Sequence, residues 1–219
     1  MTLADLADLL GIACPEGLRA ITPVGFSIDS RTVHPGDLFF AIHGKRFDAH
    51  AFVPEVLARG ACAAVIHRPL PELGPAEAAR CLLVPDTLRA MQELARALLH
   101  RWGRPIVGIT GSMGKTTAKD LTALTLAPYG RIYASVGNLN NEYGLPLAVF
   151  QMLSDGRRMA DYDVAVLEMG MNEKGEIARL CEIAPRMSVL SSMSPRFTSR
   201  TFPTGWKALP QPRRKSSTG

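Results

Sequence analysis

The sequence predicts an α/β protein: a small N-terminal α/β module over residues 1–85, a phosphate-loop parallel sheet with flanking helices over 86–194, and a tail over 195–219 expected to be disordered. Three observations predict it. Short apolar runs alternate with helix-spaced segments through most of the chain. The stretch Gly108-Ile-Thr-Gly-Ser-Met-Gly-Lys-Thr-Thr117 sets a glycine-rich turn and a Lys-Thr pair between one such run and one such segment. After Leu190 the period is lost, and serine-rich, proline-rich and then basic sequence follows without acids.

In the first module, Met1–Leu10 is apolar at helical spacing; Asp5, Asp8 and the lack of a basic start argue against a signal peptide. Ser27–Ser30 and Asp37–Ile42 read as strands, Ala51–Arg59 as helical, and Ala63–Ile66 as another strand. Asp86–Trp102 carries Leu88, Met91, Leu94, Ala95, Leu98, Leu99 and Trp102 on one face. With Asp86 as N-cap it predicts a packed helix. Arg104–Thr110 is a buried strand leading into the glycine turn, and Thr116–Leu126 has helical spacing. Arg131–Ser135, Asp163–Met169 and Met187–Leu190 are further strands separated by helical segments, the pattern of a parallel sheet. No internal repeat is present.

With 219 residues, 47% of them apolar, the chain can build a sizeable core, and it is expected to be soluble and cytoplasmic. No apolar run approaches a membrane span. Cys14, Cys62, Cys81 and Cys181 lack metal-ligand spacing and fit reduced thiols. The net charge of +5 comes from six basic residues after Pro195, which leaves residues 1–194 at −1, so no nucleic-acid partner is expected.

In the glycine turn, backbone N–H groups and a helix N-terminus converge on one point, which suits an anion. Lys115 is placed to reach the β- and γ-phosphates and Thr116 to ligate Mg²⁺. The motif is the short Gly-x-x-Gly-Lys-Thr, since Ile109 stands where the general pattern has glycine. Glu168 closes an apolar strand and is expected at the same sheet edge, holding the same metal; the alternative is a solvated strand-end acid. Gly137-Asn-Leu-Asn-Asn141 is either a plain turn or a set of amides facing a ligand. Asp29-Ser-Arg31 and Gly44-Lys-Arg-Phe-Asp48 with His50 form a polar cluster in which Arg31, Lys45 and Arg46 could hold a diphosphate and Phe47 could meet a base or the core. His34, His43, His67 and His100 have no partner spacing.

Together these residues resemble the Mur ligase family of bacterial cell-wall synthesis. The resemblance covers Ile28–Val189 and rests on Asp29-Ser-Arg31 with Pro35–Ala41, Gly44–His50, Thr110–Thr117, and Gly137–Asn141 with Glu168-Met-Gly170 and Gly175-Glu-Ile177. The Asn-Asn pair and the Glu-Met-Gly run look like the branch that adds D-alanyl-D-alanine. The resemblance implies a UDP-sugar-binding first domain, a central ATPase domain and a closing third domain. It implies transfer of the γ-phosphoryl of ATP to a substrate carboxylate, and then attack by an amine. UDP-N-acetylmuramoyl-tripeptide and D-alanyl-D-alanine are the implied substrates, with ATP and Mg²⁺.

Carried over, Gly111, Ser112, Met113, Gly114, Lys115, Thr116 and Thr117 bind ATP, while Thr116 and Glu168 hold magnesium. Lys115, Glu168 and Asn138 are the implied catalytic residues. Ser30, Arg31, Asp48, His50, Asn140 and Asn141 meet the substrate. The family's histidine and carbamylated lysine beyond the strand Met187–Leu190 have no counterpart here. Read from each third base with suitable codons, Phe197–Phe202 and Lys207–Thr218 give peptides like those two segments. The expectation is therefore a truncated or frameshifted ligase, inactive as it stands, with an incomplete central sheet, and monomeric if folded. Two alternatives are a folylpolyglutamate-type ligase, against which the residues before Arg104 count, and a non-catalytic nucleotide-binding protein whose basic tail meets a partner.

Overall fold

The computed structural model describes residues 1–44, 47–154, 156–170, 176–184 and 187–192. Lys45, Arg46, Gly175 and Pro195–Gly219, all named above, lie outside the described residues. Helix α1 (Leu3–Leu10) opens on a reciprocal cap, in which the Thr2 hydroxyl accepts from Asp5 N–H at 3.2 Å and the Asp5 carboxylate from Thr2 N–H at 2.8 Å. It ends at Gly11 in the left-handed region, φ 66°. Strands β1 (Phe26–Ser27) and β2 (Leu38–Phe40) follow, then helix α2 (Val53–Ala58), β3 (Ala63–Ile66), the short helix α3 (Pro75–Ala78) and β4 (Cys81–Leu83). The four strands pair in parallel in the order β1-β2-β3-β4. Every residue of β2 and β3 is buried, as expected of a parallel sheet covered on both faces.

The long helix α4 (Thr87–Trp102) begins where Asp86 accepts from Arg89 N–H at 2.8 Å, as the sequence predicts, and stops at Gly103, φ 68°. It leads into β5 (Ile106–Gly111), α5 (Lys115–Leu126), β6 (Ile132–Ala134), α6 (Gly144–Phe150), β7 (Val164–Glu168), α7 (Glu176–Ile183) and β8 (Met187–Ser192). This second sheet is also parallel, ordered β6-β7-β5-β8.

Helix α4 packs against α1, α6 and α7 and touches β2. One apolar core therefore runs through both sheets, including Phe40, Leu94, Leu98, Phe150 and Leu167. The Phe150 ring lies 4.6 Å from that of Phe26 and 5.7 Å from that of Phe40, so α6 is wedged against the first sheet. Phe39 points to the opposite face, into a second cluster with Val53, Val56 and Leu57.

Two expectations shift. Ser27–Ser30 does not continue as a strand, because the Ser27 hydroxyl accepts from Asp29 N–H at 3.2 Å and the Asp29 carboxylate from Arg31 N–H at 3.0 Å, curling the chain. Ala51–Arg59 is a tight turn over Ala49–Phe52 running into α2. Gly144-Leu-Pro146 opens α6.

Phe150→Ala should lower the urea-unfolding free energy by about 3–5 kcal/mol. Leu124→Ala, on a side chain that is 69% exposed on α5, should change it by less than about 0.5 kcal/mol.

Candidate active site

The parallel order gathers the carboxyl ends of β5, β6 and β7 on one edge, where open α/β sheets bind ligands. Residues 112–114 carry the chain from β5 into α5. Gly111 at φ 146° and Gly114 at φ 72° hold backbone conformations that favour glycine. Helices α1 and α4 have side-chain caps, from Thr2 and Asp86, but α5 has none. Its first intrahelical bond runs from Ala118 N–H to Gly114 C=O at 2.9 Å. The N–H groups of Lys115, Thr116 and Thr117 thus open the helix toward the loop, the arrangement that receives an anion. Lys115 Nζ donates to Gly111 C=O at 3.0 Å, folded back over the loop. Ser112 and Met113 are exposed, Met113 at 80%.

Glu168 ends β7 in register with Ile109 on β5, on the same edge as this loop. Its side chain is 3% exposed. Oε2 accepts from the Thr116 hydroxyl at 2.8 Å and Oε1 from Asn140 Nδ2 at 2.9 Å, while its own N–H donates to the Ser135 hydroxyl at 2.9 Å. A hydroxyl and a carboxylate side by side form a hard-oxygen donor pair, which fits Mg²⁺; that ion takes one or two protein oxygens and completes its shell with phosphate and water. Among the described residues no group of three or more His, Cys, Asp or Glu side chains could hold a metal ion.

The asparagines divide. Asn140 reaches Glu168, and its C=O accepts from Gly170 N–H at 2.6 Å. A Cβ on Gly170 would lie 2.8 Å from Asn140 Oδ1, so a larger residue there would push this amide from its place beside Glu168. Asn141 Oδ1 accepts from Tyr143 and Gly144 N–H at 3.1 and 2.8 Å, a turn cap that starts α6. Asn138 is exposed on the loop, and its C=O accepts from Asn140 N–H at 2.8 Å.

In the first module Arg31 grips Asp29, with NH2 at 2.6 Å from Oδ2 and Nε at 2.9 Å from Oδ1, and holds that carboxyl down to about 2. Ser30 C=O accepts from Arg59 at 2.9 Å. His50 is fully buried. Its Nε2 accepts from His67 N–H at 3.0 Å, which puts the proton on Nδ1, 2.6 Å from Asp48 Oδ1. Both nitrogens are thus used inside the protein, and a ligand can meet this group only through Asp48. Asp48 also pairs with Arg68 at 3.1 Å. Burial opposes its ionisation, but the His50 N–H, Arg68 and the imidazole together hold the carboxyl well below the usual range. Burial pushes the His50 imidazole down, against the pull of Asp48. Phe47 is 56% exposed and stacks on Phe52 at 5.4 Å.

Two residues that sequence reasoning passed over belong to this edge. Ser135 is buried at the end of β6, and Lys119 is the buried residue of α5, its Nζ donating to Ser135 C=O at 2.7 Å. Spacing puts Lys119, three and four residues after Thr116 and Lys115, on their helix face, but nothing local in the sequence marks it or Ser135 as buried.

The sheet order and the uncapped glycine turn define a phosphate-loop α/β protein. The Mur ligase middle-domain profile matches residues 109–196 and the Mur ligase family catalytic-domain profile residues 24–98, and the chain belongs to the Mur ligase family. It is 40% identical over 166 residues to the UDP-N-acetylmuramoyl-tripeptide–D-alanyl-D-alanine ligase of Synechocystis, covering 75% of this chain and 35% of that protein. It is 39% identical over 195 residues to the enzyme of the same name from Bacillus subtilis, covering 88% and 41%. The solved structure of MurF ligase from Thermotoga maritima in complex with ADP superimposes with a TM-score of 0.61 at 36% identity, over 76% of this chain and 36% of that one. The D-alanyl-D-alanyl ligase from Acinetobacter baumannii superimposes with a TM-score of 0.72 at 29% identity, over 86% and 41%. The chain thus spans well under half the length of these relatives.

His50 is depressed in the fold relative to its ordinary 6.5, so the unfolded chain binds the extra proton, and the contribution of His50 to stability is complete above that value and is lost as pH falls below it. The melting temperature should therefore fall between pH 7 and pH 5, and His50→Gln should flatten that slope; a wild-type slope unchanged in the variant would refute the assignment.

Proposed function

We propose that this chain binds ATP with Mg²⁺ at the glycine loop and serves the ADP-forming ligation of D-alanyl-D-alanine to UDP-N-acetylmuramoyl-tripeptide, a cytoplasmic step of peptidoglycan precursor synthesis. The observation that carries the reading is the 2.8 Å contact between Thr116 and Glu168 beside an uncapped helix N-terminus. The names of the relatives support the substrate pair, and the ADP complex of the Thermotoga maritima relative supports the nucleotide.

The roles follow from chemistry. Backbone N–H groups of residues 111–117 cradle the polyphosphate, and Lys115 swings from Gly111 C=O to the β- and γ-phosphates. Thr116 and Glu168 would hold the magnesium, which would supply charge neutralisation to the phosphates. Asn140 keeps Glu168 aimed, and Asn138 is the exposed amide available to the reacting carboxylate. Asn141 serves through its cap on α6.

The division of labour falls between β4 and α4, with residues 1–85 meeting the UDP-sugar and 86–194 the nucleotide. There Ser30, Arg31 and Asp48 line the sugar-nucleotide face, and His50 orients Asp48. The chain acts as a monomer in this reading.

Calorimetric titration with ADP plus Mg²⁺ tests the nucleotide site: Thr116→Ala and Glu168→Gln should each weaken binding by about tenfold or more. Equal affinity in wild type and both variants would remove the basis for the reading.

A further inference from the structure

Lys119 is the buried residue of α5, 5% exposed, while Leu121 and Leu124 of the same helix are 58% and 69% exposed. An amphipathic helix normally turns its leucines inward and its lysines out. Burying an ammonium is costly unless it is hydrogen-bonded, so the inversion needs a compensating partner. That partner is Ser135 C=O at 2.7 Å, with Asp120 Oδ1 at 3.4 Å. Ser135 is itself 1% exposed and turns its hydroxyl to Glu168 N–H at 2.9 Å. Ser135 directly follows β6, its N–H donating to Val166 C=O at 2.9 Å, two residues before Gly137-Asn-Leu-Asn-Asn141. A continuous polar chain therefore runs from the helix that carries Thr116, through Lys119 and Ser135, to the strand that carries Glu168.

We propose that Lys119, acting through Ser135, is a positioning residue that fixes the separation of Thr116 and Glu168, and so sets how strongly the nucleotide site responds to Mg²⁺. This rests on the nucleotide reading above. The Lys119 Nζ bond ties the α5 face to the end of β6, and the Ser135 hydroxyl ties that end to the Glu168 backbone. With both bonds in place the two oxygen ligands meet at hydrogen-bond distance before any ion arrives, so binding does not have to order them.

The test titrates ADP into the full chain with and without Mg²⁺, for wild type, Lys119→Met, Ser135→Ala and Thr116→Ala, alongside thermal melts without ligand. Lys119→Met and Ser135→Ala should each cut the Mg²⁺-dependent gain in affinity by about tenfold and leave the Mg²⁺-free affinity within about twofold. Equal loss of both affinities would mark Lys119 as merely structural and overturn the inference, as would an unchanged Mg²⁺ response. Loss of the Mg²⁺ response in Thr116→Ala with none in the other two variants overturns this inference alone; a wild type without any Mg²⁺ response overturns the nucleotide reading as well. If Lys119→Met does not melt cooperatively, Ser135→Ala decides, through the presence or absence of its Mg²⁺-specific loss.

Discussion

Glu168 is the point on which the ligand edge depends. A carboxylate that is 3% exposed at the end of a fully buried strand is stable only if both oxygens are satisfied, and here each has one neutral donor, Thr116 from α5 and Asn140 from the asparagine loop. Those donors come from the two segments that follow the strands flanking the site, β5 and β6. The acid therefore holds the phosphate loop and the asparagine loop to the sheet, and it presents a pair of hard oxygens to a cation. Removing its charge would loosen both loops together.

The first module follows a similar rule with a different outcome. Asp48 is held by His50, Arg68 and a backbone N–H, and Asp29 by Arg31. These groups look in the sequence like free ligand contacts. In the fold they are already partnered, so this cluster does not present bare charges.

Much of this was legible in the residues. The limits of β3, the Asp86 cap of α4, the glycine loop and the placement of Glu168 all follow from local patterns: an apolar run, a capping residue, a motif between strand and helix. What local pattern did not carry was pairing at a distance. β4 is three residues long with Leu83 exposed, so it has no period to detect, and only its register with β3 makes it a strand. Lys119 reads as an ordinary helix-surface lysine until β6 brings a carbonyl to it. His50 reads as available until His67 N–H occupies its second nitrogen. The curl at Asp29 was within reach, since Ser and Asp at that spacing compete with strand bonding.

Helix α6 is seven residues long, and both of its ends are committed. Asn141 fastens its start to the ligand edge, and Phe150, near its finish, is trapped between Phe26 and Phe40 of the other sheet. A strut clamped in this way leaves little slack: the two halves of the molecule cannot slide past one another without dragging an aromatic ring out of its seat. Evolutionary changes in ring size at those three phenylalanines would accordingly have to arrive in concert.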